Sequence, residues 1–378
     1  MGDNESRPDS ESVIDLALER KLITASQLDQ CKEILKKSKK IGFEATLEDV
    51  IVNQEFMLAE QFEELRHLQQ LGTGDGTQFG PYKLGKMIGE GGMGKVYEAV
   101  HEFMGRTVAI KVINQEYTAD KTKALRFFQE IRALIKLDHP NIVTVYDAGR
   151  VHRNYYYAME LLPGPSLNDR AGGKKLLSEK EALSIIRQVA RALGHAHANR
   201  VVHRDVKPEN IIFDRHGVPK LTDFGIAMHH DEHHLTLTKE GVTVGSLHYT
   251  SPEQVNGSRD IDCRADIYSL GATLYFALTG RTVYSGDSPQ ELLTKHLGGA
   301  MVSPRVYNRS VSRRTVKLIK KMMAVKREKR FPSMKAVIAA IDRPSLLYSV
   351  SMAASVVIGA MLLVCIGMLA QKFLAFVP

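Results

Sequence analysis

Between residues 13 and 71 the apolar positions recur at helical spacing. Val13, Ile14, Ala17 and Leu18 mark one face, and Thr24-Ala25-Ser26-Gln27 reads as a capping box opening a second helix with Leu28, Cys31 and Leu35 inward. Displacing the chain by thirty-four residues lays Leu18, Leu22, Ile23, Gln27 and Leu28 onto Val52, Phe56, Met57, Gln61 and Phe62. Residues 1–71 are therefore expected to form a helical module of two degenerate hairpin copies, too few to sustain a solenoid. A self-contained interaction module and an extension packed on the rest of the chain both stay open. Residues 72–81, opening with Gly72-Thr73-Gly74-Asp75-Gly76-Thr77, read as a flexible linker.

From Tyr82 the period changes. Lys83 to Ile88, Lys95 to Val100 and Val108 to Lys111 read as strands, Ala124 to Leu137 as a helix, and Tyr155 to Leu162 as another strand. Leu177 to Asn199 reads as a long helix with Ile185, Ile186, Val189, Ala190 and Leu193 on its apolar face. From Leu346 to Ala370 no residue is charged. Twenty-five such positions make a helix of about 37 Å, long enough to span a bilayer. Residues 371–378 form a short tail.

Composition changes this picture in two places. The net charge of +8 is carried largely by clusters such as Lys36, Lys37, Lys39 and Lys40 and the stretch from Arg313 to Lys335. The first reads as the solvated end of a helix, so no nucleic-acid partner is expected. The second lies on the N-terminal side of the apolar run, which predicts a single-pass protein of the inner membrane with residues 1–343 in the cytoplasm and lipid as a partner. Three separated cysteines suggest neither disulfides nor a metal site, and the polar, acidic start lacks the apolar region of a signal peptide.

The candidate chemistry centres on residues 203–210, His-Arg-Asp-Val-Lys-Pro-Glu-Asn, followed thirteen positions later by Asp223-Phe224-Gly225. Upstream lie Gly89-Glu90-Gly91-Gly92-Met93-Gly94, where backbone amides can approach phosphate without a Cβ in the way, and Val108-Ala109-Ile110-Lys111. The glycines lead into a β-type run rather than a helix, which argues against a dinucleotide fold. Over roughly residues 82–342 this ordered set resembles the eukaryotic-like serine/threonine protein kinases of bacteria.

The resemblance implies an α+β, bilobal kinase fold, ATP and Mg²⁺ as cofactors, and transfer of the γ-phosphoryl group to protein hydroxyls. Asp205 becomes the catalytic base, Lys207 the cation on the transferring group, and Lys111 the phosphate-binding lysine paired with Glu130. Asn210 and Asp223 are the expected metal ligands. Gly89 to Gly94, Val96, Ala109, Glu160 and Leu162 are expected around the nucleotide, with Met159 as gatekeeper. Glu253 is expected to pair with Arg330, and Asp266 to brace the catalytic loop. Because Arg204 precedes the base, Thr236, Thr238 and Thr243 are candidate phosphorylation sites, and Ser351, Ser355 and Gly359 suggest a homodimer seam. The segment His229-His230-Asp231-Glu232-His233-His234 carries metal-ligand types but no preorganisation.

Overall fold

The computed structural model describes residues 10–19, 21–40, 45–59, 61, 62, 65, 66, 76–114, 121–152, 154–172, 176–224, 247–258, 260–286 and 288–343. The apolar run 346–370, the tail 371–378, the three threonines, the histidine-rich segment and residues 72–75 of the expected linker lie outside them. Among the described residues no helix is long and apolar enough to cross a membrane.

Helices α1 (Ser10–Glu19), α2 (Ala25–Lys40) and α3 (Leu47–Asn53) open the chain. Geometry repeats here at the same displacement as the sequence. Gln27 Oε1 accepts from Thr24 N at 2.8 Å, and Gln61 Oε1 accepts from Leu58 N at 2.7 Å. Lys21 and Glu55 are both left-handed, with φ of 57° and 56°, each closing the helix before it. The amide of Leu22 reaches Ala17 O at 3.0 Å, and that of Phe56 reaches Ile51 O at 3.2 Å. Val13, Ile14, Ala17, Leu28, Ile51 and Phe62 belong to a buried cluster drawn wholly from residues 13–65. This unit thus has a core of its own.

A six-stranded antiparallel sheet follows, ordered β1-β2-β3-β4-β6-β5. Its strands are β1 (Gln78–Phe79), β2 (Tyr82–Gly91), β3 (Gly94–His101), β4 (Thr107–Ile113), β5 (Val145–Val151) and β6 (Asn154–Glu160). Strand β1 falls within the stretch expected to be linker. It pairs with the start of β2 because Phe79, fully buried, packs edge-on against Tyr156. Period-two alternation in β4 serves two cores at once: Val108, Ile110 and Val112 face a cluster under one side of the sheet, and Ala109 and Ile113 face the other. Lys111 shares the second face.

Helix α4 (Lys121–Ile135) covers that face through Phe127, Ile131 and Leu134. The larger lobe is built from α5 (Leu167–Ala171), α6 (Glu179–Ala198), the hairpin β7 (Ile211–Phe213) and β8 (Pro219–Leu221), then α7 (Pro252–Val255), α8 (Arg264–Thr279), α9 (Pro289–Gly298), α10 (Arg313–Met322) and α11 (Met334–Asp342). Helix α8 is buried all round from Ala265 to Thr279, so it forms the axis of this lobe. Residues 201–210 lie between the end of α6 and β7, with α8 beneath them.

Candidate active site

The site is assembled on a single buried carboxylate. Asp266, in the first turn of α8 and fully buried, accepts from His203 N at 2.9 Å and Arg204 N at 2.8 Å, and bonds His197 Nε2 at 2.7 Å. Burial pushes this carboxyl up, but the His197 ring, and after it His203 with its amide, outweigh it and hold it below the ordinary range. Arg204 takes a left-handed φ of 67° there, a conformation that persists because Asp266 and Gln254, whose Nε2 donates to Arg204 O at 2.8 Å, grip the peptide on both sides.

The turn that results aims Asp205 outward. His203 accepts Asp205 N at its Nδ1 (3.2 Å), donates from Nε2 to Thr222 O (2.9 Å), and stacks on Phe224 at 4.4 Å. Burial lowers its basicity, so the ring is a neutral brace between the 205 and 223 peptides. Lys207 Nζ donates to Asp205 Oδ2 at 2.8 Å, and Asn210 Nδ2 donates to the same oxygen at 3.0 Å and to Asp205 O at 2.8 Å. Both side chains of the Lys207–Asp205 pair are mostly buried, 16% and 12% exposed. Asn210 commits its amide nitrogen to Asp205, so its amide oxygen is the end suited to a hard cation.

Lys111 reaches this group from the sheet. Its side chain is 8% exposed, and its ammonium pairs with Asp223 Oδ1 at 2.6 Å. The expected partner was Glu130. That residue sits half-buried on α4, and its charge, after that of Asp266, favours the protonated form of the Arg204 guanidinium that burial opposes. Tyr157, directly across from Lys111 in the β4–β6 register, also donates to Asp223 Oδ1, at 3.3 Å. Desolvation pushes the Asp223 carboxyl up, yet the Lys111 ammonium prevails and keeps it ionised below the usual carboxylate range. Asp223 itself is left-handed, φ 53°.

The glycine stretch forms the β2–β3 hairpin, with Gly89 opposite Val96, Glu90 opposite Lys95 and Gly91 opposite Gly94. Gly94 has φ 151°, and a Cβ there would lie 1.9 Å from Val112 O, so only glycine lets the hairpin lie against β4. A Cβ on Gly91 would meet nothing within 4 Å, which leaves its backbone open to a ligand. Asn114 pins the hairpin tip, its Nδ2 donating to Gly92 O and its backbone N to Met93 O, both at 2.9 Å. Val96 pairs across the ladder with Lys111, and Ala109 with Met159, the expected gatekeeper. At the end of β6, Glu160 Oε2 accepts from Lys220 Nζ at 2.9 Å, and Leu162 packs on the main core.

The structure therefore gathers Lys111, Asp205, Lys207, Asn210 and Asp223 on one cleft between the sheet and the helical lobe. Two cations beside two oxygen donors fit a polyphosphate and a divalent metal. Four contributors escaped the sequence reading: Asn114, Tyr157, His197 and Gln254. Only the strand periodicity signalled Tyr157, which shares a face with the buried Met159 and the half-buried Tyr155.

The brace behind the site is Arg330. Its guanidinium, with no exposure, meets Glu253 Oε1 and Oε2 at 2.6 and 2.7 Å and also donates to Ala324 O, Arg264 O and Val325 O. All five donors are engaged.

The sequence profile described as Protein kinase domain matches residues 82–340. PrkC of Bacillus subtilis is 40% identical over 245 residues, 65% of this chain and 37% of that protein. PknH of Mycobacterium bovis is 36% identical over 258 residues, 68% of this chain and 43% of that protein. Both are named serine/threonine-protein kinases, and the chain spans less than half the length of each. The kinase domain of PknI from Mycobacterium tuberculosis superposes with a TM-score of 0.57 at 26% identity, covering 71% of this chain and 96% of that one. With a profile match over more than half of its residues and the matching motifs converged on one cleft, the chain belongs to the protein kinase family.

Proposed function

We propose that the protein is an ATP- and Mg²⁺-dependent serine/threonine protein kinase that phosphorylates protein hydroxyls, itself included. The observation that carries this reading is the Asp205–Lys207–Asn210 constellation, closed by bonds of 2.8 to 3.0 Å and faced by the Lys111–Asp223 pair. Asp205 orients and accepts the proton of the incoming hydroxyl, and Lys207 offsets charge on the group being transferred. Lys111 and the open backbone at Gly91 hold the phosphates, while Asp223 and the Asn210 amide oxygen hold Mg²⁺, which when bound spreads the phosphate charge. A lysine two residues after the base favours serine and threonine over tyrosine.

The apolar run 346–370 anchors the chain in the inner membrane with the catalytic domain in the cytoplasm, and confinement there favours phosphorylation between two copies. The helical module at 1–71, with its separate core, serves protein partners. The deciding experiment uses the purified full chain, labelled ATP and a generic protein substrate. Label should enter serine and threonine, stop with a chelator, return with Mg²⁺, and fall by about a hundredfold or more in Lys111→Met and Asp205→Asn. Undiminished transfer in either variant would overturn the assignment.

A further inference from the structure

Helix α10 carries a face that the phosphotransfer site does not use. Thr315, Leu318, Ile319 and Met322 turn inward, while Arg313, Lys317 and Lys320, spaced by four and three residues, stand on the opposite side and are exposed. Among the described residues none of these three has an ion-pair partner, and α10 itself contains no acidic residue. Two exposed carboxylates that follow α10 in the chain are already engaged. Asp342 pairs with Arg187 at 3.2 Å, and Glu328 with Arg327 at 3.3 Å. Three like charges in two turns repel one another, so the stripe favours an anion from outside the chain.

What sits beside the stripe identifies that anion. Arg314, at the start of the same helix, donates from Nη2 to Ala340 O and Ile341 O, both at 2.7 Å. It thereby caps the C-terminal turn of α11 against the start of α10, two residues before residue 343, the last one described. The uncharged sequence 346–370 begins three residues later. Three residues reach at most about 11 Å, comparable with a Debye length of about 8 Å at physiological salt. We infer that the Arg313–Lys317–Lys320 face of α10 lies against anionic phospholipid headgroups and sets the orientation of the kinase domain on the bilayer. The inference rests on membrane anchoring by residues 346–370.

The test places the full chain in nanodiscs of phosphatidylcholine alone or with phosphatidylglycerol admixed, and maps amine acylation by mass spectrometry. Lys317 and Lys320 should be protected only in the anionic discs, and added salt should remove that protection. Lys86, 76% exposed on the sheet, should label equally in both. Arg313→Gln, which removes a surface charge without a partner, should lower the ratio of docked to undocked domain roughly fivefold while leaving both lysine readouts in place. Equal labelling of Lys317 and Lys320 in both discs, with the chain retained, overturns the inference and leaves anchoring intact. Protection by added DNA but not by anionic lipid overturns it in favour of a nucleic-acid partner. A chain that never enters discs overturns anchoring and this inference with it.

Discussion

Asn114 shows how much a single exposed side chain can decide. Glycines at 89, 91 and 92 bring no side chains to the hairpin tip, and the two Asn114 bonds help fix its height over the cleft. Asn114→Ala removes the side-chain bond and keeps the backbone one, an exposed loss of about 1 kcal/mol. It should raise KM for ATP several-fold with kcat nearly unchanged, because the tip positions phosphate in ground and transition states alike. A fall in kcat with unaltered KM would contradict this. Nothing in the spacing of polar and apolar positions marks Asn114, because its role depends on a turn twenty-two residues away. Asp205, by contrast, is legible from its neighbours alone, since the base, its cation and the metal ligand share one short loop.

Between elements, polar contacts carry what periodicity cannot express. Glu179, in the first turn of α6, accepts from Ser312 N at 2.6 Å, Ser312 Oγ at 2.7 Å and Thr315 Oγ1 at 2.6 Å, tying α6 to the start of α10. Burial raises this carboxyl, and the three hydrogen bonds outweigh it, so its folded pKa lies below 4.5. A depressed carboxylate contributes stability that is present above the unfolded value and lost as pH falls through the folded one. The denaturation gap between wild type and Glu179→Gln should therefore be full at neutral pH and close as pH drops below 4.5. A gap independent of pH would refute the assignment. Arg330 is the larger case: Arg330→Met leaves Glu253 buried without its partner and should cost about 3–5 kcal/mol, read as a lowered denaturant midpoint. A loss within about 0.5 kcal/mol, as at ordinary surface sites, would mean the pair is not structural. The sequence resemblance implied the Glu253–Arg330 pair, yet not the three carbonyls that complete it.

At the scale of the whole molecule, the lobes are joined through Lys111 and Asp223, one from the sheet and one from the loop after β8. If two membrane-held copies phosphorylate one another, mixing an Asp205→Asn chain with an active chain should place phosphate on the inactive copy at Thr236, Thr238 or Thr243. An inactive copy left bare while the active copy is modified would assign transfer in cis. The sequence by itself determined strands β2, β3, β4 and β6, helices α4 and α6, the catalytic loop and the thirty-four-residue displacement in the helical module, because each is written in local period or in contiguous motif, whereas strands β1, β5, β7 and β8 left no such mark. It placed element ends within a few residues: Ala124 to Leu137 became Lys121–Ile135, and Leu177 to Asn199 became Glu179–Ala198. Only the tertiary structure decided that Lys111 turns to Asp223 rather than to Glu130, that β1 is ordered by Phe79 against Tyr156, and that His197 joins Asp266 beneath the catalytic loop. Each of these choices sets partners far apart in the chain in competition for the same buried charge or surface, and that competition is settled by distance and desolvation, which exist only once the chain is folded.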